Sequence, residues 1–241
     1  MQIRYALFLL FGILPLPVAS QAPSAMPLEK EPHHQLLLQN QDVIVFKVKL
    51  MPGDTLLLHR HDHDEASMTI SNGTTLAIVP GQPPVPQKDV SGTVRFHYAG
   101  VVHQIKNTGD RPYYLHESIS LLRPQGKVRN FCSAVAEGQP LNCPDPPAKN
   151  SAPFISEPQY ETEQMRATVI RVQPQQGAPI GEPDRDDLIV AVDKVVATSG
   201  SSLAKELNPG DCMWLGHGDK AQLIKNNSAE EARFVIFAFK P

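Results

Sequence analysis

The sequence is short of charge, of cysteine and of long apolar stretches, and each shortage excludes a class of protein. Only 20% of its 241 residues are charged, and the formal net charge is -3. This balance excludes a basic surface for nucleic acid or for an anionic membrane. An apolar fraction of 41% excludes disorder throughout. No stretch holds a 3.6-residue apolar period, and 23 prolines argue against an all-helical fold.

The longest apolar run stands at the N-terminus. Residues 1–20 begin with a positive region at Arg4, continue with an apolar core and end in small residues before Gln21. This order is typical of a cleavable signal peptide. The alternative is a membrane anchor, but two prolines interrupt the run, which is shorter than the ~20 residues that span a bilayer. We therefore predict a secreted or periplasmic protein with no membrane association after cleavage.

The three cysteines do not form a thiolate metal site, because no C-x-x-C pattern is present. Cys132 and Cys143 lie in a Pro-rich stretch, and in an oxidising compartment they suit a disulfide that closes a small loop. The alternative is a pair of free thiols. Cys212 lies in an apolar run and is expected to be a buried thiol rather than a nucleophile.

Short runs rich in β-branched and aromatic residues lie on both sides of a Pro-rich centre, which favours an all-β fold of small barrels or sandwiches. The predicted strands cover residues 43–50, 55–61, 66–70, 75–79, 93–98, 101–106, 113–121, 167–172, 187–197, 203–206, 211–215, 221–225 and 232–239. Residues 79–89 hold four prolines and are predicted to form a loop.

The two halves of the chain resemble each other. Glycines eight residues apart flank an apolar strand at 92–100 and again at 210–218, and Gln104-Ile-Lys-Asn matches Gln222-Leu-Ile-Lys-Asn with one extra residue. The predicted organisation is a signal peptide over 1–20, a polar lead-in over 21–35, a first barrel domain over 36–122, a Pro-rich linker over 123–163 and a second barrel domain over 164–241.

Most of the candidate chemistry lies in residues 53–73. His59 and His61 are two residues apart, so on a strand both imidazoles project from one face. Glu65 has the same parity, but a straight strand would place it ~13 Å beyond His61, so the chain must bend to bring it to the same ion. His103, in a strand entered through a glycine, is the candidate for the fourth ligand.

These residues resemble the two motifs of the cupin superfamily. The first motif, G-x5-H-x-H-x3-E-x6-G, is matched from Gly53 with one extra residue before Gly73, and the second, G-x5-P-x-G-x2-H-x3-N, is matched by Gly100, His103 and Asn107, with Tyr98 where Pro is usual. The resemblance implies two cupin-type (double-stranded β-helix or jelly-roll) barrels. It also implies that His59, His61, Glu65 and His103 bind one divalent transition metal (Mn, Fe, Ni, Cu or Zn), and that a homodimer is compatible with the fold.

The alternative reading of the histidine-rich run is a polar, solvated hairpin, which does not account for the spacing of His103. His63 is expected in the turn rather than at the metal. His97 and His116 are expected to be packed or exposed, with a place in the pocket left open. His33 and His34 are expected at the surface.

The second half lacks these ligands. Aligning Gly177 with Gly53 puts Pro183, Arg185 and Ile189 in the places of His59, His61 and Glu65, and Ala221 or Gln222 in that of His103. We therefore predict a degenerate second cupin barrel that buries the open edge of the first. The alternative, a hard-cation site at Asp184, Asp186 and Asp187, has too few oxygen ligands.

Two functions fit this pattern. The first is a metal-dependent enzyme resembling quercetinase-like cupin dioxygenases, in which Glu65 also acts as a general base on a small oxygen-bearing substrate and Leu57, Met68 and Ile70 keep the cavity dry. A non-redox lyase or isomerase is a variant of it. The second is a cupin that holds a metal or a small ligand without turnover. The complete ligand set favours the enzyme.

Overall fold

The computed structural model describes residues 24–131, 152–182, 184–198, 204–219 and 222–241. The predicted signal peptide and the cysteines at 132 and 143 lie outside these residues, so both predictions stay predictions. Cys212 is a free, partly buried thiol, and burial raises its pKa to about 11. In the described ranges, no helix has the length and apolar character needed to cross a membrane.

The first half forms two five-stranded sheets. Its strands are β1 (Met26–Pro27), β2 (His34–Gln39), β3 (Val43–Leu50), β4 (His59–Arg60), β5 (Asp64–Thr69), β6 (Gly73–Ile78), β7 (Val85–Asp89), β8 (Val94–His97), β9 (Val102–Asn107) and β10 (Tyr114–Leu121), with a 3-10 turn at Leu28–Lys30. The first sheet has the order β1-β4-β9-β6-β7 and the second the order β2-β3-β10-β5-β8. Together they enclose the first barrel.

The second half repeats this arrangement. Its strands are β11 (Arg129–Asn130), β12 (Phe154–Glu161), β13 (Met165–Val172), β14 (Gly177–Ile180), β15 (Asp186–Ala191), β16 (Val195–Thr198), β17 (Lys205–Leu207), β18 (Cys212–Leu215), β19 (Gln222–Lys225) and β20 (Ala232–Phe239). The third sheet has the order β11-β12-β13-β20-β15-β18 and the fourth the order β14-β19-β16-β17. The all-β, two-barrel prediction is thus confirmed.

Several strands differ from the sequence-based expectation. Strand β7 lies in the predicted loop, and Pro86 is tolerated there because β7 is an edge strand. Strand β12 lies in the predicted linker, where a register shift between Pro158 and Tyr160 accommodates the proline. Strand β2 begins inside the predicted lead-in, and the strand predicted at 55–61 is reduced to β4.

The second and third sheets pack face to face and bury the largest apolar core of the described chain. Met68, Phe96 and Ile119 from the first barrel meet Tyr160, Leu188 and Phe237 from the second. The second barrel therefore packs against a face of the first barrel, whereas the sequence analysis predicts that it buries the open edge. This contact holds the second sheet, which carries several of the site residues, against a rigid support.

The interiors of the two barrels differ in chemistry. Fifteen buried apolar side chains, among them Ile189, Ile224 and Phe234, form the core of the second barrel. The first barrel has only a small apolar cluster of Val48, Leu50, Leu56 and Tyr114. The remaining space between its two sheets is a cavity of about 320 Å³.

Candidate metal centre

Strand pairing brings the predicted histidines together. In the antiparallel pair β4–β9, His59 lies directly opposite His103. The chain continues to His61, whose backbone N–H bonds the Val101 carbonyl and whose own carbonyl accepts a hydrogen bond from the N–H of Gly100. Gly100 has a φ of +97°, a conformation that side chains disfavour, which explains why glycine precedes His103 in the second motif.

The three imidazoles converge inside the cavity. Their ring centroids are 4.8 Å (His59–His103), 5.0 Å (His61–His103) and 5.1 Å (His59–His61) apart, and one ligand nitrogen of each lies within 4.8 Å of the others. The Nε2 atoms of His61 and His103 are 3.0 Å apart. Two nitrogens at ~2.1 Å from one ion and at a right angle to each other have a separation of about 3 Å, so the donor set fits a transition metal.

The surroundings keep the rings of His59 and His103 neutral. Burial, with the neighbouring His61 and His34, lowers the pKa of His59 to about 4. Burial, with His61 and His59, lowers the pKa of His103 to about 2. The Nδ1 of His59 is 2.9 Å from the Leu57 carbonyl, which leaves the Nε2 lone pair for the cavity. Neutral imidazoles with free lone pairs are the form in which histidine binds metals.

Glu65 reaches the site from the other side of His61. Its Oε2 contacts the Nδ1 of His61, and its Oε1 is 3.4 Å from the Nε2 of His97, which lies opposite it on β8. Burial raises the pKa of Glu65, but His61 and His97 outweigh burial and hold it well below its usual range. Glu65 thus belongs to a second possible ligand group, with His61 and His97, which shares His61 with the group of three histidines.

No protein-family model and no curated protein matches the sequence. Solved structures do match. AerE from Microcystis aeruginosa is 14% identical, with a TM-score of 0.62 over 91% of this chain and 98% of that one. The cupin 2 conserved barrel domain protein from Leptotrichia buccalis is 10% identical, with a TM-score of 0.53 over 85% and 87%. The chain has the cupin fold. A salicylate 1,2-dioxygenase mutant from Pseudoaminobacter salicylatoxidans in complex with gentisate is 12% identical, with a TM-score of 0.56 over 87% and 75%.

Strand register identifies the counterparts of the ligands in the second cupin barrel. Glu65 pairs with the seventh residue of β10, and Asp187 pairs with the seventh residue of β20. Asn107 bonds the last carbonyl of β3 and Asn226 that of β13, so these two residues correspond, and Gln222 corresponds to His103. Ile180 lies opposite Gln222 as His59 lies opposite His103.

The alignment from sequence is therefore wrong by two residues at this position: it pairs Ile189 with Glu65, whereas the strand register pairs Asp187 with Glu65. The buried Asp187 accepts a hydrogen bond from Arg185 Nε at 3.0 Å, and Arg185 Nη1 lies 3.1 Å from Glu182. In the second barrel, the carboxylate that corresponds to Glu65 is thus paired with the guanidinium of Arg185. Within the described residues, both groups of three potential metal ligands lie in the first barrel.

Three further histidines line the cavity. The sequence analysis leaves a place in the pocket open for His97 and His116, and both line it. His34 is expected at the surface, but it is buried, with its ring centroid 5.2 Å from that of His59. Burial lowers the pKa of His116 to about 4. The side-chain alternation along β8 and β10 could have indicated the inward face, but not which histidines share it.

The residues predicted to keep the cavity dry do not line it. Leu57 is exposed, and Met68 and Ile70 are buried in the core between the barrels, because they alternate with the inward-facing Glu65 and Ser67. Val48, Leu50, Leu56, Val101 and Ile105 form the apolar wall instead. His63 is partly exposed and outside the cavity lining, in agreement with its place in the turn.

Proposed function

We propose that the chain is an exported, mononuclear-metal cupin enzyme that acts on a small, oxygen-bearing organic substrate in a dioxygenase-like reaction. The observation that carries this proposal is the convergence of His59, His61 and His103 in a cavity of about 320 Å³. A pocket of this size matches a small molecule rather than a polymer. The fold shared with a dioxygenase whose structure contains gentisate supports the reaction class.

Each residue has a distinct part in this proposal. His59, His61 and His103 would hold one divalent transition metal, with Glu65 as the carboxylate of the same site. Such an ion supplies Lewis-acid or redox chemistry at positions that the protein leaves open. The contact between Glu65 and His61 orients the imidazole, as carboxylates behind metal-binding histidines do. The apolar wall around Leu50 and Leu56 excludes water from the bound substrate.

The low pKa of Glu65 bears on its proposed second part as a general base. A carboxylate that stays ionised far below neutral pH is a weak proton acceptor. We therefore favour Glu65 as a metal ligand or as the group that orients His61 over Glu65 as a general base.

The metal site is tested by elemental analysis of the purified protein, as isolated and after reloading with Fe, Mn, Ni, Cu or Zn. We expect about one equivalent in the wild type and less than about a tenth in the His59→Ala, His61→Ala variant, because two of three nitrogen ligands are lost. His63→Ala is the matched control, since it removes a histidine of the same segment outside the cavity. A wild type that takes up no metal under any loading would overturn the site.

The reaction is tested with the loaded samples. Oxygen uptake is measured with a panel of phenols, flavonols and diketones, and disappearance of each compound without oxygen uptake would identify the non-redox variant. Tight binding of a compound with no turnover by any loaded form would favour the second function, a ligand-holding cupin.

Export is proposed on the pattern of residues 1–20. N-terminal sequencing of protein recovered outside the cytoplasm tests it, with Gln21 as the expected first residue. A retained Met1 would contradict cleavage.

A further inference from the structure

Arg95 faces the cavity beside the metal centre. On β8, Val94 and Phe96 are buried in the core between the barrels, so Arg95 and His97 project from the opposite face and line the cavity. His97 lies opposite Glu65, and Arg95 lies opposite Ser67, one inward-facing position farther along the strand. At ~3.3 Å per residue, this offset is about 7 Å, the length of a small organic molecule.

The guanidinium of Arg95 is held in place by one hydrogen bond, and its other N–H groups remain available as donors. Its Nη1 donates a hydrogen bond of 3.2 Å to the buried Asp89, whose other oxygen accepts a 2.7 Å hydrogen bond from the Thr75 hydroxyl. Within the described ranges, no acceptor is bonded to the Nε or Nη2 of Arg95. A guanidinium carries five N–H donors in a planar fork, so one face of this fork stays open to a bidentate acceptor such as a carboxylate.

The charge of the cavity favours the same kind of ligand. Among the described lining residues, the charged groups other than histidine are Glu65, Asp89 and Arg95. Two carboxylates and one guanidinium leave one negative charge, which a divalent cation turns into one positive charge. A neutral ligand would leave this positive charge uncompensated, whereas a monoanion neutralises it.

We propose that Arg95 binds the carboxylate of the substrate, so that the substrate is a small monoanionic organic acid lying between Arg95 and the three histidines. This inference rests on the proposed function, because it names the substrate class of the same cavity. Arg95 then determines specificity: it pairs with the carboxylate and sets which oxygen atoms of the acid point toward His59, His61 and His103.

Binding is measured by isothermal titration calorimetry with benzoate and with benzamide, two probes of equal size that differ in charge. The wild type is used both zinc-loaded and metal-free. In the zinc-loaded form we expect benzoate to bind about tenfold tighter than benzamide. In the metal-free form the preference should be smaller, since the cavity then carries one negative charge and only Arg95 favours the anion. Arg95→Gln should remove the preference in both forms, because a charge-assisted pair is lost. Asp89→Asn should tighten benzoate binding several-fold, since it frees Nη1 of Arg95.

Two further variants control for folding and for net charge. The double variant Asp89→Asn, Arg95→Gln keeps the buried pair neutral and should bind benzoate as weakly as Arg95→Gln. Arg129→Gln removes an exposed arginine outside the cavity lining and should bind like the wild type.

The proposal is overturned if a folded Arg95→Gln or double variant binds benzoate like the wild type, or if the wild type binds benzoate no better than benzamide. Failure of the proposed function gives a different pattern. In that case the protein takes up no zinc, while the metal-free wild type still prefers benzoate through Arg95.

Discussion

At the scale of single residues, a buried carboxylate supports the three-histidine site from outside the cavity. Glu31 is 1% exposed and accepts hydrogen bonds from the backbone N–H groups of His33 (2.8 Å) and Leu57 (3.1 Å). It also lies 2.7 Å from Nδ1 of His34, whose ring packs against His59. The charge on Glu31 thus ties the segment before β2 to the residues that lead into the first ligand.

The ionisation of Glu31 predicts an acid-sensitive contribution to stability. Burial raises the pKa of Glu31, but hydrogen bonds from His34, His33 and Leu57 outweigh burial and lower it from 4.5 to about 2. Because the pKa of the folded state lies below that of the unfolded state, this contribution is fully present above about pH 4.5 and is lost as the pH falls toward 2. Its size is about 2 kcal/mol.

Glu31→Gln should therefore lower the free energy of unfolding at pH 7 by about 2 kcal/mol and flatten its fall between pH 4.5 and 3. Urea unfolding at a series of pH values measures this. Glu29→Gln, an exposed glutamate two residues away, is the control and should follow the wild type. Parallel curves for Glu31→Gln and the wild type would contradict the prediction.

At the scale of elements, the site depends on how closely strands β6 and β10 approach. Gly73 is the last glycine of the first motif and the first residue of β6, and a Cβ placed on it would lie 2.8 Å from Cδ2 of Tyr114. Tyr114, the first residue of β10, is buried and lines the cavity. Position 73 thus requires glycine, because the ring of Tyr114 occupies the space that a side chain would need.

Gly73→Ala should destabilise the protein by about 1–3 kcal/mol, since the methyl group overpacks the strand against the ring. Chemical denaturation measures the loss. Thr74→Ala, at the exposed neighbouring position, should change stability little. Adding Tyr114→Leu to Gly73→Ala should recover part of the loss, because the smaller side chain makes room. Full additivity of the two changes would show that the close approach is not the cause.

At the scale of the whole molecule, the two barrels share one core and therefore should unfold together. Side chains from the second and third sheets pack into each other. Arg233 of the second barrel also donates to the backbone oxygen of Ser91 in the first at 2.8 Å and pairs with Asp193. If the second and third sheets separated, each would expose a large apolar face to water.

Met68→Ala, at a fully buried position between the barrels, should cost about 2–5 kcal/mol and lower one shared unfolding transition. Differential scanning calorimetry measures it. Met51→Ala, at a position that is 49% exposed, is the control. Two separate transitions, of which only one moves, would show that the barrels fold independently.

Some strands could be predicted from the sequence with their limits, whereas others, and one counterpart of a ligand, could not. Strands such as β3 and β20 match the sequence-based limits because their apolar and β-branched residues lie in unbroken runs. Strands β7 and β12 were missed because their prolines are compatible with strand only at an edge or a bulge, and edges are set by the whole sheet. Likewise, Asp187 as the counterpart of Glu65 follows from pairing with β20, not from counting residues.

The all-β class and the spacing of His59, His61 and His103 follow from the sequence alone, because alternation along a strand and glycine-dependent turns are local properties of the chain. Which other groups meet these histidines depends on the tertiary structure. Glu31, Asp89, Arg95 and His97 join the site through strand register and barrel closure, which bring together residues far apart in sequence. The few charged residues of the chain thus include an ion pair between Arg95 and the buried Asp89, and the sheets rather than any motif set its position in the cavity.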